Sequence, residues 1–286
     1  MNRRAILIIA IVICLLAYLP QLAPEEPTPD RAEGTLAVEF LDVEQGDSAL
    51  IHLPNGETML IDAGERDQGE HVVDTLREQG ITRLDYVIGT HPHTDHIGGL
   101  QEVIETFDIG EVYMPKKLHT TKTFENLLLA IRDKGLTVTS AKAGVTVLEE
   151  EGLFATFVAP QDTDYEELND YSAVLRLTFG ETSFLFTGDA EAVSEHEMLS
   201  SGRSLSADVL KVGHHGSTTS NTVAFLKAVS PTHAVISCGT DNDYGHPHKQ
   251  ILKRLTALKA TVWRTDEQGK ITVISDGTTL SVTSEK

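Results

Sequence analysis

Apolar and polar positions alternate with a period of two at residues 35–42, which predicts a strand; residues 48–53 and 58–62 read as two more strands, and the turn Pro54-Asn55-Gly56 between them marks a β-hairpin. At 69–79 the spacing changes: Val72, Val73 and Leu76 share one helical face, which Gly80 closes. A short apolar run at 84–89 predicts a buried strand. A helix at 99–106, a strand at 112–114 and an amphipathic helix at 123–134 follow. Strands are then predicted at 137–140, 144–148, 154–159, 172–179, 183–187 and 208–212. The remainder reads as helix 221–229, strand 233–237, helix 249–257 and strands at 261–264, 270–275 and 279–283.

Strands followed by strand–helix units thus occur twice. Two such halves predict two mixed β-sheets packed face to face with helices outside, an α/β fold of the αββα sandwich type over 35–286. No short fixed period recurs, which excludes a solenoid.

The N-terminus follows other rules. Asn2-Arg3-Arg4 precede an unbroken apolar run at 5–19, the charge-then-apolar order of an export signal. Fifteen helical residues reach about 22 Å, short of the ~30 Å hydrocarbon core, so residues 1–23 read either as a signal peptide or as a membrane anchor that draws on Leu22 and Ala23. Residues 24–34, rich in Pro and acid, read as a solvated linker. The expected location is extracytoplasmic, secreted or tied to the membrane through the N-terminal segment.

Composition narrows the chemistry. Hydrophobic residues make up 40% and charged residues 23% of the 286-residue chain, which excludes wholesale disorder. Two cysteines exclude a disulfide scaffold and a cysteine zinc ribbon. The net charge of −20 opposes sequence-independent nucleic-acid binding unless a local basic patch intervenes.

The twelve histidines are clustered. Thr90-His91-Pro92-His93-Thr94-Asp95-His96-Ile97-Gly98-Gly99 places three histidines and a carboxylate within six residues, directly after a buried strand. Imidazole nitrogen and carboxylate oxygen suit zinc and similar divalent ions, and two such ions side by side can activate water. Gly98-Gly99 is expected to let the chain turn tightly into the next helix. A solvated polar loop is the plain alternative.

This H-x-H-x-D-H pattern resembles the metallo-β-lactamase superfamily. Met59-Leu60-Ile61-Asp62-Ala63-Gly64 matches the family element in which the aspartate braces the metal loop, and Phe184-Leu185-Phe186-Thr187-Gly188-Asp189 matches the strand ending in the aspartate that bridges two metals. Three further stretches narrow the likeness: 40–48 (FLDVEQGDS), 210–217 (LKVGHHGS) and 244–248 (YGHPH) are similar to the extracytoplasmic hydrolase domain of ComEC-type competence proteins. The likeness covers about 36–275 and implies a stand-alone domain of this type behind its own short N-terminal segment.

The resemblance implies His91, His93, Asp95, His96, Asp189 and His215 as ligands of one or two Zn2+ ions, with Mn2+ as the alternative. It also implies a departure, because the stretch at 168–174, where most superfamily members carry another ligand histidine, has none. His214-His215 follows a strand, so alternation is expected to send one imidazole to the metal and the other behind or toward substrate. His215 is the preferred ligand, and the converse also satisfies the spacing. His246 and His248, with Asp95, are the expected catalytic groups, one histidine protonating a leaving oxygen. Their plain alternative is a solvated helix start. Asp62, His214, His119, Lys116, Lys117, Asn169 and Ser172 are expected beside the substrate or behind the ligands, with Lys122 completing a local basic strip. His52, His71, His196 and His233 read as surface or packing histidines.

The expected activity is metal-dependent hydrolysis of a phosphoester, with extracellular DNA as the substrate class the resemblance suggests and no protein partner predicted. Hydrolysis of a carboxylic ester, thioester or lactam is the alternative on the same fold. A non-catalytic surface module with a structural metal is the third reading, and the open coordination opposes it, since structural zinc sites are closed.

Overall fold

The computed structural model describes residues 34–162 and 164–286. The predicted leader at 1–23, with Cys14, and the linker short of Gly34 lie outside the described residues. Among those described, no helix is long and apolar enough to cross a membrane.

Among the described residues, fifteen strands form two sheets. The first, in the order β15-β14-β1-β2-β3-β4-β5-β6, contains β1 (Leu36–Phe40), β2 (Ala49–His52), β3 (Thr58–Ile61), β4 (Arg83–Ile88), β5 (Asp108–Met114), β6 (Val138–Ser140), β14 (Ile271–Ser275) and β15 (Leu280–Ser284). The second, in the order β13-β12-β11-β10-β9-β8-β7, contains β7 (Thr146–Glu150), β8 (Leu153–Ala159), β9 (Val174–Phe179), β10 (Thr182–Phe186), β11 (Val209–Lys211), β12 (His233–Ile236) and β13 (Thr261–Arg264). Each sheet is antiparallel in one half and parallel in the other: β3-β4-β5-β6 and β10-β11-β12-β13 are the parallel runs. Parallel neighbours need crossovers, and the helices supply them.

Alternation along the strands separates three apolar layers. On β1 Leu36, Val38 and Phe40, and on β10 Phe184 and Phe186, point between the sheets. Leu60 of β3 faces helices Gly69–Glu78, Leu100–Thr106 and Lys122–Asp133, while Leu185 of β10 and Leu210 of β11 face the helices on the other side. Burial on both faces is why these strands read as apolar runs. The two mixed sheets with helices outside are the expected αββα sandwich.

Besides the one-turn helices Thr94–Ile97 and Thr265–Gln268, a nine-residue helix is absent from the sequence pattern. Ala192–Ser200 buries Ser194 and Glu195 with Met198, so no apolar stripe marks it. Glu195 accepts from the backbone N–H groups of Asn221 and Thr222, which ties this helix to the segment that follows the second histidine cluster. Burial pushes the Glu195 carboxyl up to about 6.

Candidate metal centre

The site lies where the parallel strands end. β3 delivers Asp62, β4 the loop beginning at Thr90, β10 Asp189, β11 His214 and His215, and β12 Ser237. Clefts beyond the carboxyl ends of strands are where α/β sheets place ligands. The two sheets are joined here by backbone, where Ala173 N donates to Thr90 O at 2.9 Å; within the second sheet His214 N donates to Gly188 O at 3.1 Å.

The loop 90–99 is held from behind. Asp62 is fully buried and accepts from Thr90 N (2.8 Å), Thr90 Oγ (2.6 Å) and His96 Nδ1 (2.8 Å). Burial pushes its carboxyl up, and the donors from His96 and Thr90 offset part of that. Because His96 gives its Nδ1 proton to Asp62, its Nε2 presents a lone pair. His91 Nδ1 lies 3.1 Å from Thr90 Oγ, whose own proton goes to Asp62, so His91 also presents Nε2. That nitrogen lies 3.0 Å from His93 Nδ1. Burial, reinforced by the nearby His96, holds His91 well below the usual imidazole range, so it stays neutral and fit to ligate.

Glycine serves differently from the expectation. Gly98 and Gly99 have ordinary helical dihedrals, and a Cβ on Gly98 would collide with the Arg66 amide. They are needed for close approach, not for a turn.

Asp95, His96, Asp189 and His215 gather donor atoms within 4.8 Å of one another. His96 Nε2 is 3.2 Å from Asp189 Oδ1, and His215 Nε2 is 3.3 Å from Asp95 Oδ2 and 3.6 Å from Asp189 Oδ2. His96 Nε2 and Asp189 Oδ1 are buried and have no hydrogen-bond partner among the described residues. Two buried acceptors facing each other need a positive charge between them. The site attracts one. Burial alone would lower the imidazole of His215, yet Asp189 and Asp47 push it up to about 10, and His96 rises for the same reason. Burial opposes ionisation of Asp189 and Asp95 as well, but the imidazoles hold both below the usual carboxylate range. Nitrogen and oxygen donors in this number fit a divalent cation such as zinc or manganese, with His91 and His93 beside the four-residue cluster.

His214 and His215 correct the strand argument. Both have positive φ, 50° and 52°, in a short turn (Gly213–Gly216) rather than an extended segment, and both border the same cleft. His215 Nδ1–H donates to Ser237 O at 3.0 Å, which aims Nε2 at the cluster. His214 is half-buried: Nδ1 lies 3.1 Å from Glu191 Oε1 and from Thr219 Oγ, and Nε2 is 3.6 Å from Asp189 Oδ2. Asn221, clamped to Gly213 through both ends of its amide, fixes this turn.

The cluster opens on a cleft of about 310 Å3 that no aliphatic side chain lines. His93, Asn169, His214, His246 and Tyr244 form much of its wall. His246 is neutral: burial, with His215 and His214 nearby, pulls it down to about 4. His248 does not line the cleft. Its ring stands edge-on to His246 at 4.9 Å, and its Nδ1 accepts from Thr218 N, so Nε2 carries the proton. Ser172 sits behind the ligands, where its hydroxyl accepts from Asp189 N at 3.0 Å, and Asn169 Nδ2 donates to Glu191.

The basic strip is not on the cleft wall. Lys117 donates to Tyr171 Oη and lies over that ring, Lys122 pairs with Glu125, and Lys116 does not line the cleft. His119 pairs with Thr121 in its own loop, close enough to oppose a charge on His93. His52 is bonded to Gln79 and His233 to Trp263; they pair in register with Thr58 and Val209, at the strand ends opposite the ligands. Sequence reasoning assigned no role to Asp47 or Lys211, a buried pair behind His96 and His215. A lysine inside a three-residue buried strand was the available signal.

The model of the metallo-beta-lactamase superfamily matches residues 41–240. The chain belongs to that superfamily. It is 34% identical over 251 residues to ComE operon protein 3 of Bacillus subtilis, covering 82% of this chain and 32% of that protein. It is 31% identical to Recombination protein 2 of Haemophilus influenzae (84% and 29% covered) and 30% identical to Competence protein ComA of Neisseria gonorrhoeae (89% and 33% covered). The chain therefore spans about a third of the length of these relatives. Among solved structures, the CmlA beta-hydroxylase E377D mutant aligns with TM-score 0.55 at 17% identity, over 86% of this chain and 54% of that one. The metallo-beta-lactamase fold protein YhfI of Bacillus subtilis aligns with TM-score 0.52 at 14% identity, over 87% and 100%. Both likenesses establish the fold.

Proposed function

We propose that this metallo-beta-lactamase-fold hydrolase cleaves phosphodiesters, with DNA outside the cytoplasm as its substrate class. The observation that carries the reading is the cleft wall. Imidazole, amide and hydroxyl groups, with the carboxylate of Glu65, surround the ligand cluster and no aliphatic side chain does, which suits a strongly hydrated phosphoryl group held by a cation at the cluster better than an apolar acyl chain. The similarity to competence proteins supports nucleic acid over other phosphodiesters.

His91, His93, Asp95, His96, Asp189 and His215 would hold one or two Zn2+ or Mn2+ ions. A divalent cation there supplies Lewis-acid stabilisation of charge on phosphoryl oxygens and lowers the pKa of water. The chain's own groups divide the remaining work. Asp62 and the Ser237 carbonyl fix the tautomers of His96 and His215. Asn169 and neutral His246 offer hydrogen bonds to substrate oxygens. His248, with its proton on Nε2, donates to the leaving oxygen.

The test is a panel of bis(4-nitrophenyl) phosphate, single-stranded DNA, a lactam and a thioester, offered to the full-length protein loaded with Zn2+ or Mn2+. Turnover of the diester and DNA is expected. Turnover of the lactam or thioester alone would replace this reading with acyl hydrolysis. Residues 1–23 are proposed to carry the chain out of the cytoplasm, and fusing them to a reporter active only after export should give signal.

A further inference from the structure

We infer that Tyr244 is a stacking platform for the base of a terminal, unpaired nucleotide, so that the cleft works at the end of a single strand. This rests on the phosphodiesterase reading. Tyr244 is 68% exposed, its hydroxyl bonds to no described residue, and it buries too little surface for packing to explain its place. Its ring lies over His246 (centroids 5.6 Å apart, planes 19° apart), and His246 in turn lies over the ligand His215 (6.1 Å, 28°). A ladder of roughly parallel rings therefore runs from the ligand cluster to the rim. His246 is only 9% exposed and its Nδ1 has no partner among the described residues, an unsatisfied polar atom in the cleft wall beside the platform.

The platform is held still. Asn242 donates to Gly239 O and His246 O and accepts from His246 N, and Gln45 accepts from Gly239 N. Tyr244 thus projects from a hydrogen-bonded loop, which reduces the ordering cost of binding. Every base has a π-face, so such a ring binds bases without regard to sequence, provided that they are unpaired.

What lies past Tyr244 limits the length of the occupant. Tyr244 and Gln45 also border a second groove of about 530 Å3 that carries Asp42, Glu44, Asp241 and Asp243. Four carboxylates lining one groove repel a following phosphate. A strand can enter only from the other side and stop with its last base on Tyr244. Water then adds across the final diester: its oxygen bonds to phosphorus and the ester P–O bond breaks. One hydrogen ends on the leaving oxygen and the other is released from the new phosphate, freeing a mononucleotide.

Full-length protein loaded with Mn2+ would be assayed on linear single-stranded DNA, circular single-stranded DNA and methyl 4-nitrophenyl phosphate, a diester with no base. Linear DNA should be shortened to mononucleotides at least tenfold faster than the circle is opened. Tyr244→Ala should lower the ratio of linear-DNA to base-free rates by roughly 5- to 100-fold, and Tyr244→Phe should restore it. Calorimetric Kd for deoxythymidine 5′-phosphate should weaken in Tyr244→Ala alongside that ratio. Equal rates on circle and line would overturn the terminal placement, and an unchanged ratio or Kd would overturn the platform. Failure on all three substrates, base-free diester included, would instead reject the phosphodiesterase reading itself.

Discussion

The ammonium of Lys211 lies 2.5 Å from Asp47 Oδ2, with both side chains shut from solvent behind the ligand histidines. Lys211 also donates to Val212 O, so its position is fixed from two sides. The other oxygen of Asp47 lies 3.3 Å from His215 Nδ1. Burial would raise the Asp47 carboxyl, and Lys211 with His215 and His96 keeps it below its ordinary value. The pair comes from opposite sheets, Asp47 from the loop after β1 and Lys211 from the end of β11. It therefore fastens the two halves directly behind the site.

Removing one partner of a buried pair leaves an uncompensated charge. Lys211→Met should cost about 3–5 kcal/mol of stability. Asp47→Asn added to it should recover part of that loss, because the stranded carboxylate is then gone. Urea unfolding of the two single variants and the double variant checks this, and additive losses would show that the pair is not coupled.

The histidines give the metal-free protein a definite pH response. His215 sits at about 10 when folded, against about 6.5 unfolded. Its contribution is fully present below pH 6.5 and is lost as pH rises through 10, at a slope of at most about 1.4 kcal/mol per pH unit. His96, also raised, acts in the same direction. Asp189, depressed, contributes above its unfolded value and loses that contribution as pH falls through the folded one. Stability measured in EDTA should therefore fall from pH 6.5 to 9, whereas Zn2+-saturated protein, its imidazoles held neutral, should not follow it. Parallel curves with and without metal would contradict the ligand assignment of His96 and His215.

What could be read in advance follows from how local each signal is. Strands buried on both faces left apolar runs, so the sandwich was visible, and His91 to His96 announced themselves because one loop carries them. The helix Ala192–Ser200 was not visible because its buried face is Ser194 and Glu195: Glu195 accepts from backbone N–H groups 26 and 27 positions away, and Ser194 N donates to the Asp170 carboxylate, 24 positions back. Asp47 and Lys211 meet only through the sheet order. The His214-His215 turn defeated a strand rule that was sound up to Lys211, because the chain enters a left-handed reversal at His214 and His215 that β-periodicity does not encode.

Ligand and brace should separate by degree. Asp189 presents a buried, unpartnered oxygen to His96, so Asp189→Ala should lose most of the bound metal. Asp62 only orients His96 and the Thr90 backbone, so Asp62→Asn should weaken metal affinity by about 10- to 100-fold and leave stoichiometry intact in excess metal. Metal analysis after gel filtration, followed by a chelator competition, measures both. Full metal content in Asp189→Ala would remove Asp189 from the site.

Histidines on the two walls should fail in different ways. His93 faces His91 Nε2 at 3.0 Å on the ligand side, so His93→Ala should lower metal affinity and rate together. His248 stands behind His246 on the substrate side, with Nδ1 occupied by the Thr218 amide and its proton on Nε2. His248→Ala should keep its metal and lose rate by roughly 10²- to 10⁴-fold, as expected when a general acid is removed. That loss should shrink on bis(4-nitrophenyl) phosphate, because nitrophenolate departs without protonation, and stay large on a diester with an alkoxide leaving group. His246 lines the cleft, and burial with His215 and His214 nearby pulls it down to about 4, so it meets substrate as a hydrogen-bonding group of the wall. Its alanine variant should therefore raise KM on both substrates without sorting them by leaving group. Equal losses for His248→Ala on good and poor leaving groups, with metal retained, would make His248 a binding residue. Loss of metal in that variant would place it among the ligands and reopen the assignment of His215.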